Sequence, residues 1–406
     1  MQSMSRWLAG LAVLAIAAAA CSSDSADDPS ATSDGSPSPP ATNSENVEEP
    51  DDIPNVTGWN TDWSKRTIDL SELVPGIGAS DPRDVIPPLD NPAFVTIEEA
   101  SEWLSDREPV ASLDFNGEVR AYPLRILTWH EIVNDQVGDV PVVVTYCPLC
   151  NSAVGFDRRV DGQTLRFGVS GLLRNSDLVM WDRETESLWQ QITGESIVGE
   201  LAGTQLEFIP TPIVAWGDFR RTFPDAMVLS RDTGFDRAYG TNPYEFYDSS
   251  SRPFLFSGET DPRYPAMERV VGVTIDDSNK AYPFSVLEEE KAVNDDVGGE
   301  PVAVFWGAAG TASALDSSSI ADGKEVGTGI AYLRTVDGQV LTFEVAGEDT
   351  FQDSETGSTW DLLGNATAGP LQGKRLLPAV HTNHLWFAWA AFNSESPVYS
   401  GAEKTS

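Results

Sequence analysis

Sulfur and imidazole are scarce in this chain. Its 406 residues contain three cysteines, three histidines and five methionines, too little cysteine for a scaffold held by several disulfides. Basic residues are also few: 26 lysines and arginines stand against 63 aspartates and glutamates, a formal charge of −37. Nucleic acid is excluded as a partner, because binding it requires a basic surface that displaces counterions. After the first twenty residues no apolar run approaches the roughly 20 residues of a membrane-spanning helix. No phosphate-cradling glycine loop occurs. His130-Glu131 begins a zinc-protease signature, but Asn134 stands where the second histidine belongs. Gly168-Val169-Ser170 begins a nucleophile elbow, but Leu172 replaces its closing glycine.

The N-terminus reads as an export signal. Arg6 supplies positive charge, Leu8 to Ala20 an apolar stretch, and the small residues Ala18, Ala19 and Ala20 precede Cys21. This order predicts a lipoprotein signal peptide over 1–20 and an acylated Cys21. The competing reading, plain secretion, does not call for a cysteine at the cleavage site. Residues 21–55 are acidic, rich in Ser, Pro and Asp, and nearly free of large apolar side chains. They cannot bury enough surface to offset the entropy of ordering, so they are expected to be a disordered tether. The expected location is the cell envelope, at the outer face of the cytoplasmic membrane or in the periplasm. The membrane, reached through the lipid, is the one partner the sequence implies.

Read against itself at an offset of 160 residues, the remaining chain matches. Ala121-Tyr122-Pro123, Val133-Asn134-Asp135 and Pro141-Val142 return as Ala281-Tyr282-Pro283, Val293-Asn294-Asp295 and Pro301-Val302. Further on, Val160-Asp161-Gly162-Gln163 answers Val336-Asp337-Gly338-Gln339, Trp189 answers Trp360, and Trp216 to Phe219 is paired with Trp389 to Phe392. An internal duplication follows, with a first lobe over 56–231, a connection over 232–268 and a second lobe over 269–406. The fold class expected is α+β, strand-rich, with two pseudo-symmetric lobes. A hairpin should turn at Asn116-Gly117 and another at Asp161-Gly162. Helices are expected over 124–133 and 213–223, with a buried strand over 142–146.

The two copies differ at residues that carry chemistry. Cys147 and Cys150 fall opposite Gly307 and Gly310, and His130 falls opposite Glu290. With Cys21 assigned to the anchor, Cys147-Pro148-Leu149-Cys150 is the single C-x-x-C, and Asn151 after it tolerates the left-handed backbone of a metal knuckle. His130 precedes the cysteine strand. His381 and His384 are expected at the start of the last helix, where i and i+3 share a face. Two thiolates and these imidazoles, with Met180 or Met267, make a soft donor set for copper or zinc. A redox couple and a structural disulfide compete with it, although no long helix follows the C-x-x-C as a thioredoxin-like site needs. Arg174, Asn175 and Asp177, with Met180, are expected to contribute to a pocket. Trp129, Trp181, Trp189, Trp386 and Trp389 read as core packing in preference to sugar stacking.

The segments Trp129 to Asp135, Thr145 to Arg158, Phe167 to Gln191 and Leu385 to Trp389 resemble a family of exported bacterial and archaeal proteins catalogued as domain of unknown function 3179. The resemblance spans about Val110 to Ser400 and implies location and boundaries, not a reaction. Three functions stay open: a metal carrier or metalloenzyme, a thiol-disulfide oxidoreductase using Cys147 and Cys150, and a non-catalytic surface binding protein with a structural disulfide. Any protein or small-molecule partner is likewise open.

Overall fold

Turn chemistry decides where the strands reverse. In a computed structural model that describes residues 56–308 and 310–401, Asn116 and Gly117 both take positive φ (51° and 80°) and join strand Pro109–Phe115 to strand Glu118–Pro123. Positive φ at both central residues is the hairpin geometry that matches strand twist, and asparagine and glycine adopt it most readily. Asp161 and Gly162 (φ 49° and 82°) do the same between Arg159–Val160 and Gln163–Thr164. The expected signal peptide, the Cys21 lipidation site and the tether over 21–55 lie outside the described residues.

The architecture is strand-rich α+β. Among the described residues no α-helix exceeds seven residues, and none is long and apolar enough to cross a membrane. Three five-stranded sheets carry the first half, and two of them build the surroundings of the cysteines. One runs, in spatial order, Phe208–Ile209, Ser152–Asp157, Val140–Cys147, Ile132–Val137 and Leu89–Asp90. The other runs Val74–Pro75, Phe167–Arg174, Asp177–Asp182, Leu188–Gln190 and Ser196–Val198. From Pro141 to Cys147 the central strand is buried at every residue. A strand covered on both faces reads as a continuous apolar run, as Val142 to Val144 does.

Strand pairings repeat at the offset seen in the sequence. Val110 pairs with Pro123 as Val270 does with Pro283, and Ile132 pairs with Thr145 as Ala292 does with Phe305. Asn134 clamps both backbone groups of Phe167, and Asn294 clamps those of Phe343. The structure corrects one pairing. Trp216 and Trp386, not Trp389, stand at equivalent helix starts, donating their backbone N–H to Glu108 O and Glu268 O at 2.8 and 2.7 Å.

Helix boundaries differ from expectation for local reasons. The helix expected over 124–133 spans Leu124–His130, because Glu131 turns left-handed (φ 58°) and the chain leaves as strand Ile132–Val137. The helix expected over 213–223 is preceded by strand Ile213–Ala215 and spans Trp216–Thr222. His381 and His384 lie in strand His381–Leu385, paired antiparallel with Arg269–Ile275, and the last helix begins only at Trp386. A strand alternates its side chains, so an odd spacing sends these imidazoles to opposite faces and removes the shared helix face.

The halves interpenetrate in their apolar clusters. Trp216 and Phe219 lie in one cluster with Phe305, Phe351 and Trp360. Conversely, Leu385, Phe387 and Ala388 lie in the cluster that holds Cys147 and Cys150. Trp189 and Trp386 are fully buried, as core packing requires.

Candidate metal centre

The cysteine turn closes a hairpin. Strand Val140–Cys147 ends at its first cysteine, residues Pro148–Cys150 form a single 3-10 turn, and strand Ser152–Asp157 begins after Asn151. Asn151 is left-handed (φ 51°, ψ 41°) and donates its N–H to Pro148 O at 3.2 Å. Proline suits the first position of such a turn, since its fixed φ is already helical and its missing N–H would have had no partner. Left-handed backbone is costly for most side chains and cheap for asparagine.

A second hairpin brings a third ligand-type side chain to the cysteines. Asn175 and Ser176, both at positive φ (52° and 65°), connect Phe167–Arg174 to Asp177–Asp182. The Ser176 carbonyl accepts from both thiols, with each sulfur at 3.7 Å. Asp177, the next residue, is fully buried. Its Oδ2 accepts from Gln190 Nε2 at 2.6 Å and from the Ile192 N–H at 3.0 Å, while Oδ1 has no N–H or O–H partner. The Cys147 and Cys150 sulfurs and an Asp177 carboxylate oxygen all lie within 4.8 Å of one another. Among the described residues they form the one group of three or more Cys, His, Asp or Glu side chains so arranged. The two sulfurs are not bonded to each other.

Buried acid accumulates here without a cation. Burial pushes the Cys147 thiol up and the Cys150 thiol well above its ordinary range. Burial also raises the Asp177 carboxyl to about 6. Glu131 rises to about 8, through burial first and the Asp177 charge second. Among the described residues no lysine, arginine or histidine forms an ion pair with Asp177 or Glu131. Burial favours the neutral form of all four groups, and a bound cation would favour their ionised forms.

The other expected site residues fall as follows. His130 Nδ1 donates to Pro87 O at 2.7 Å and Nε2 pairs with the Tyr239 hydroxyl at 2.6 Å, so both ring nitrogens are engaged. It ties the loop around Tyr239 to the helix end and is absent from the donor group. His381 Nδ1 donates to Ala379 O at 2.8 Å, and His384 pairs with the Thr382 hydroxyl. Neither belongs to the cluster, in which the third ligand-type side chain is the Asp177 carboxylate. Of the pocket residues, Asp177 joins the cysteines. Met180 is buried in the same apolar cluster, and Met267 packs against it. Arg174 pairs with Glu72 at 2.8 Å. Asn175 serves the turn.

Glu131 was not legible as a site residue. It sits at the left-handed end of its helix and accepts the Tyr146 N–H at 2.7 Å through its backbone carbonyl, next to the cysteine strand. Its only sequence signal was the incomplete protease signature. A cavity of about 200 Å³ lies against Glu131, Cys147 and Tyr244.

The chain matches the family described as Protein of unknown function (DUF3179) over residues 83–396. It belongs to that family. No curated protein and no solved structure matches it.

Proposed function

We propose that this member of the DUF3179 family holds a soft divalent or monovalent metal ion at Cys147, Cys150 and Asp177, on the outer side of a membrane to which an acylated Cys21 ties it. One observation carries the reading: three ligand-type atoms lie within 4.8 Å of one another in a buried site, and the Asp177 Oδ1 has no N–H or O–H partner and only the two thiols beside it. A buried carboxylate oxygen with only weak thiol donors beside it is costly, and a cation removes that cost. Two thiolates with one carboxylate suit zinc first. Copper(I) comes second, with Met180 in the same cluster as a soft neighbour. Three protein donors leave a fourth position for water or substrate, the pattern of catalytic rather than structural zinc.

The redox reading is weaker on physical grounds. The cysteines sit on a three-residue turn between strands, without a long helix whose N-terminus would lower a thiol pKa, and burial raises both thiols. Elemental analysis of full-length protein purified without chelator tests the proposal. About one zinc or copper per chain is expected, and it should be lost in Cys147→Ser and Cys150→Ser. A metal-free protein whose thiols titrate only after reduction would instead establish a disulfide. Membrane attachment is tested separately: Cys21→Ser should release the protein into the soluble fraction, and a variant still lipid-modified and membrane-bound refutes the anchor.

A further inference from the structure

Of the three proposed metal donors only Cys147 borders the adjoining cavity; Cys150 and Asp177 do not line it. Its volume, about 200 Å³, equals roughly six or seven waters at about 30 Å³ each. The wall is chemically divided. Glu131, Cys147 and Tyr244 contribute a carboxyl, a thiol and a phenol, with the Glu131 and Tyr244 side chains adjacent, whereas Ile77, Leu149 and Leu178 are among the aliphatic side chains that make most of the rest. Among the described residues no lysine, arginine or histidine lines it. The segment that carries Tyr244, Phe254 and Leu255 contributes part of the lining. Ser176 Oγ fastens that segment by donating to Phe254 O.

We infer that this cavity binds a small, largely aliphatic molecule carrying one neutral hydroxyl group, with the hydroxyl at Glu131 and Tyr244. A hydroxyl both donates and accepts, which suits a carboxyl beside a phenol. An anionic head would lose its hydration with no basic side chain among the described lining residues to replace it, at a cost that burial amplifies. The aliphatic walls reward chain length until the volume is filled. The inference goes beyond the metal reading and stands on the cavity walls alone.

Calorimetric titration of the full-length protein with 1-butanol, 1-pentanol, 1-hexanol and 1-decanol tests it. Affinity should rise about fourfold per methylene, corresponding to its transfer from water, and should fall at decanol, which exceeds the volume. Hexanoate should bind at least about tenfold more weakly than 1-hexanol. Ile77→Trp, at a half-buried loop position, should abolish binding by filling the space, with Leu149→Phe as a second filling variant should the first fail to fold. Hexanoate or hexylammonium binding as tightly as 1-hexanol overturns the ligand class. Unchanged 1-hexanol binding in a folded Ile77→Trp or Leu149→Phe variant overturns the site, as does the absence of saturable binding by every alcohol. Saturable hexanol binding by protein that retains no metal upholds the cavity while removing the metal reading, so the two fail separately.

Discussion

The Asp177 carboxylate and the Cys150 sulfur lie within 4.8 Å of each other although they belong to different hairpins. The Asn175-Ser176 turn sets this relationship, because its Ser176 carbonyl is held by both thiols and its next residue is Asp177. Removing Oδ1 should therefore affect ligand binding more than folding. Asp177→Asn is expected to weaken metal retention about tenfold or more, while Gln190 and Ile192 keep the side chain placed. Competition with a graded chelator series measures it, and unaltered retention would remove Asp177 from the donor set.

Removing the proposed metal should also lower stability. An ion bound only by the folded state, present at about a hundredfold over its Kd, contributes about 2.7 kcal/mol. Thermal unfolding of full-length protein with and without chelator should differ accordingly, and Cys150→Ser should show no chelator effect.

The knuckle depends on the left-handed Asn151. Asn151→Gly should leave metal content intact, because glycine adopts this backbone at no steric cost. Asn151→Val should cost about 1–2 kcal/mol and lower metal content, since a β-branched side chain is strained there. Urea unfolding of the two variants supplies the comparison, and equal stability would mean that the turn relaxes elsewhere.

His381 is buried, and desolvation holds it near 4, below the ordinary 6.5. As pH falls, the unfolded chain takes up a proton before the folded one. The stability tied to the neutral ring is thus complete above about pH 6.5 and declines as pH drops toward 4, by at most about 1.4 kcal/mol per pH unit. His381→Gln should flatten the pH dependence of unfolding in this window relative to the parent chain. Parallel curves would show that the ring titrates normally in the fold.

Asn134 accepts the Phe167 N–H at 2.9 Å and donates to Phe167 O at 2.7 Å, joining the sheet of the cysteines to that of Asp177. Asn134→Ala would leave two buried backbone groups unpaired, at about 1–3 kcal/mol each. Denaturant titration should show a loss of that order. Metal retention should fall with it, because this link holds the two sheets in register.

Signals confined to a few neighbouring residues were legible. Asn116-Gly117 and Asp161-Gly162 specify hairpins through backbone freedom, and Val142 to Val144 specify a buried strand through apolar continuity. The left-handed residue after the cysteines could be read from Asn151 because side-chain type and backbone conformation meet in one residue. Helix ends were less legible. At Glu131 a non-glycine residue takes positive φ, held where its backbone pairs with Leu127 and Tyr146, and nothing in its side chain announces this. The strand at His381 looked helical because the pairing that makes it a strand comes from Arg269–Ile275, more than a hundred residues earlier.

The sequence by itself determined the scarcity of thiols and imidazoles, the excess of acid, the strand-rich α+β class and the C-x-x-C turn, since composition and short-range backbone preference require no partner. Only the tertiary structure decided what completes the cysteines. Asp177 lies 27 residues beyond Cys150 and is brought to it by the stacking of two hairpins, while the three histidines, more conspicuous as ligands, are directed elsewhere by the alternation of a strand and by hydrogen bonds to Pro87, Tyr239, Ala379 and Thr382. A donor set is a matter of distances below about 5 Å between side chains far apart in the chain, and those distances follow from sheet register and burial.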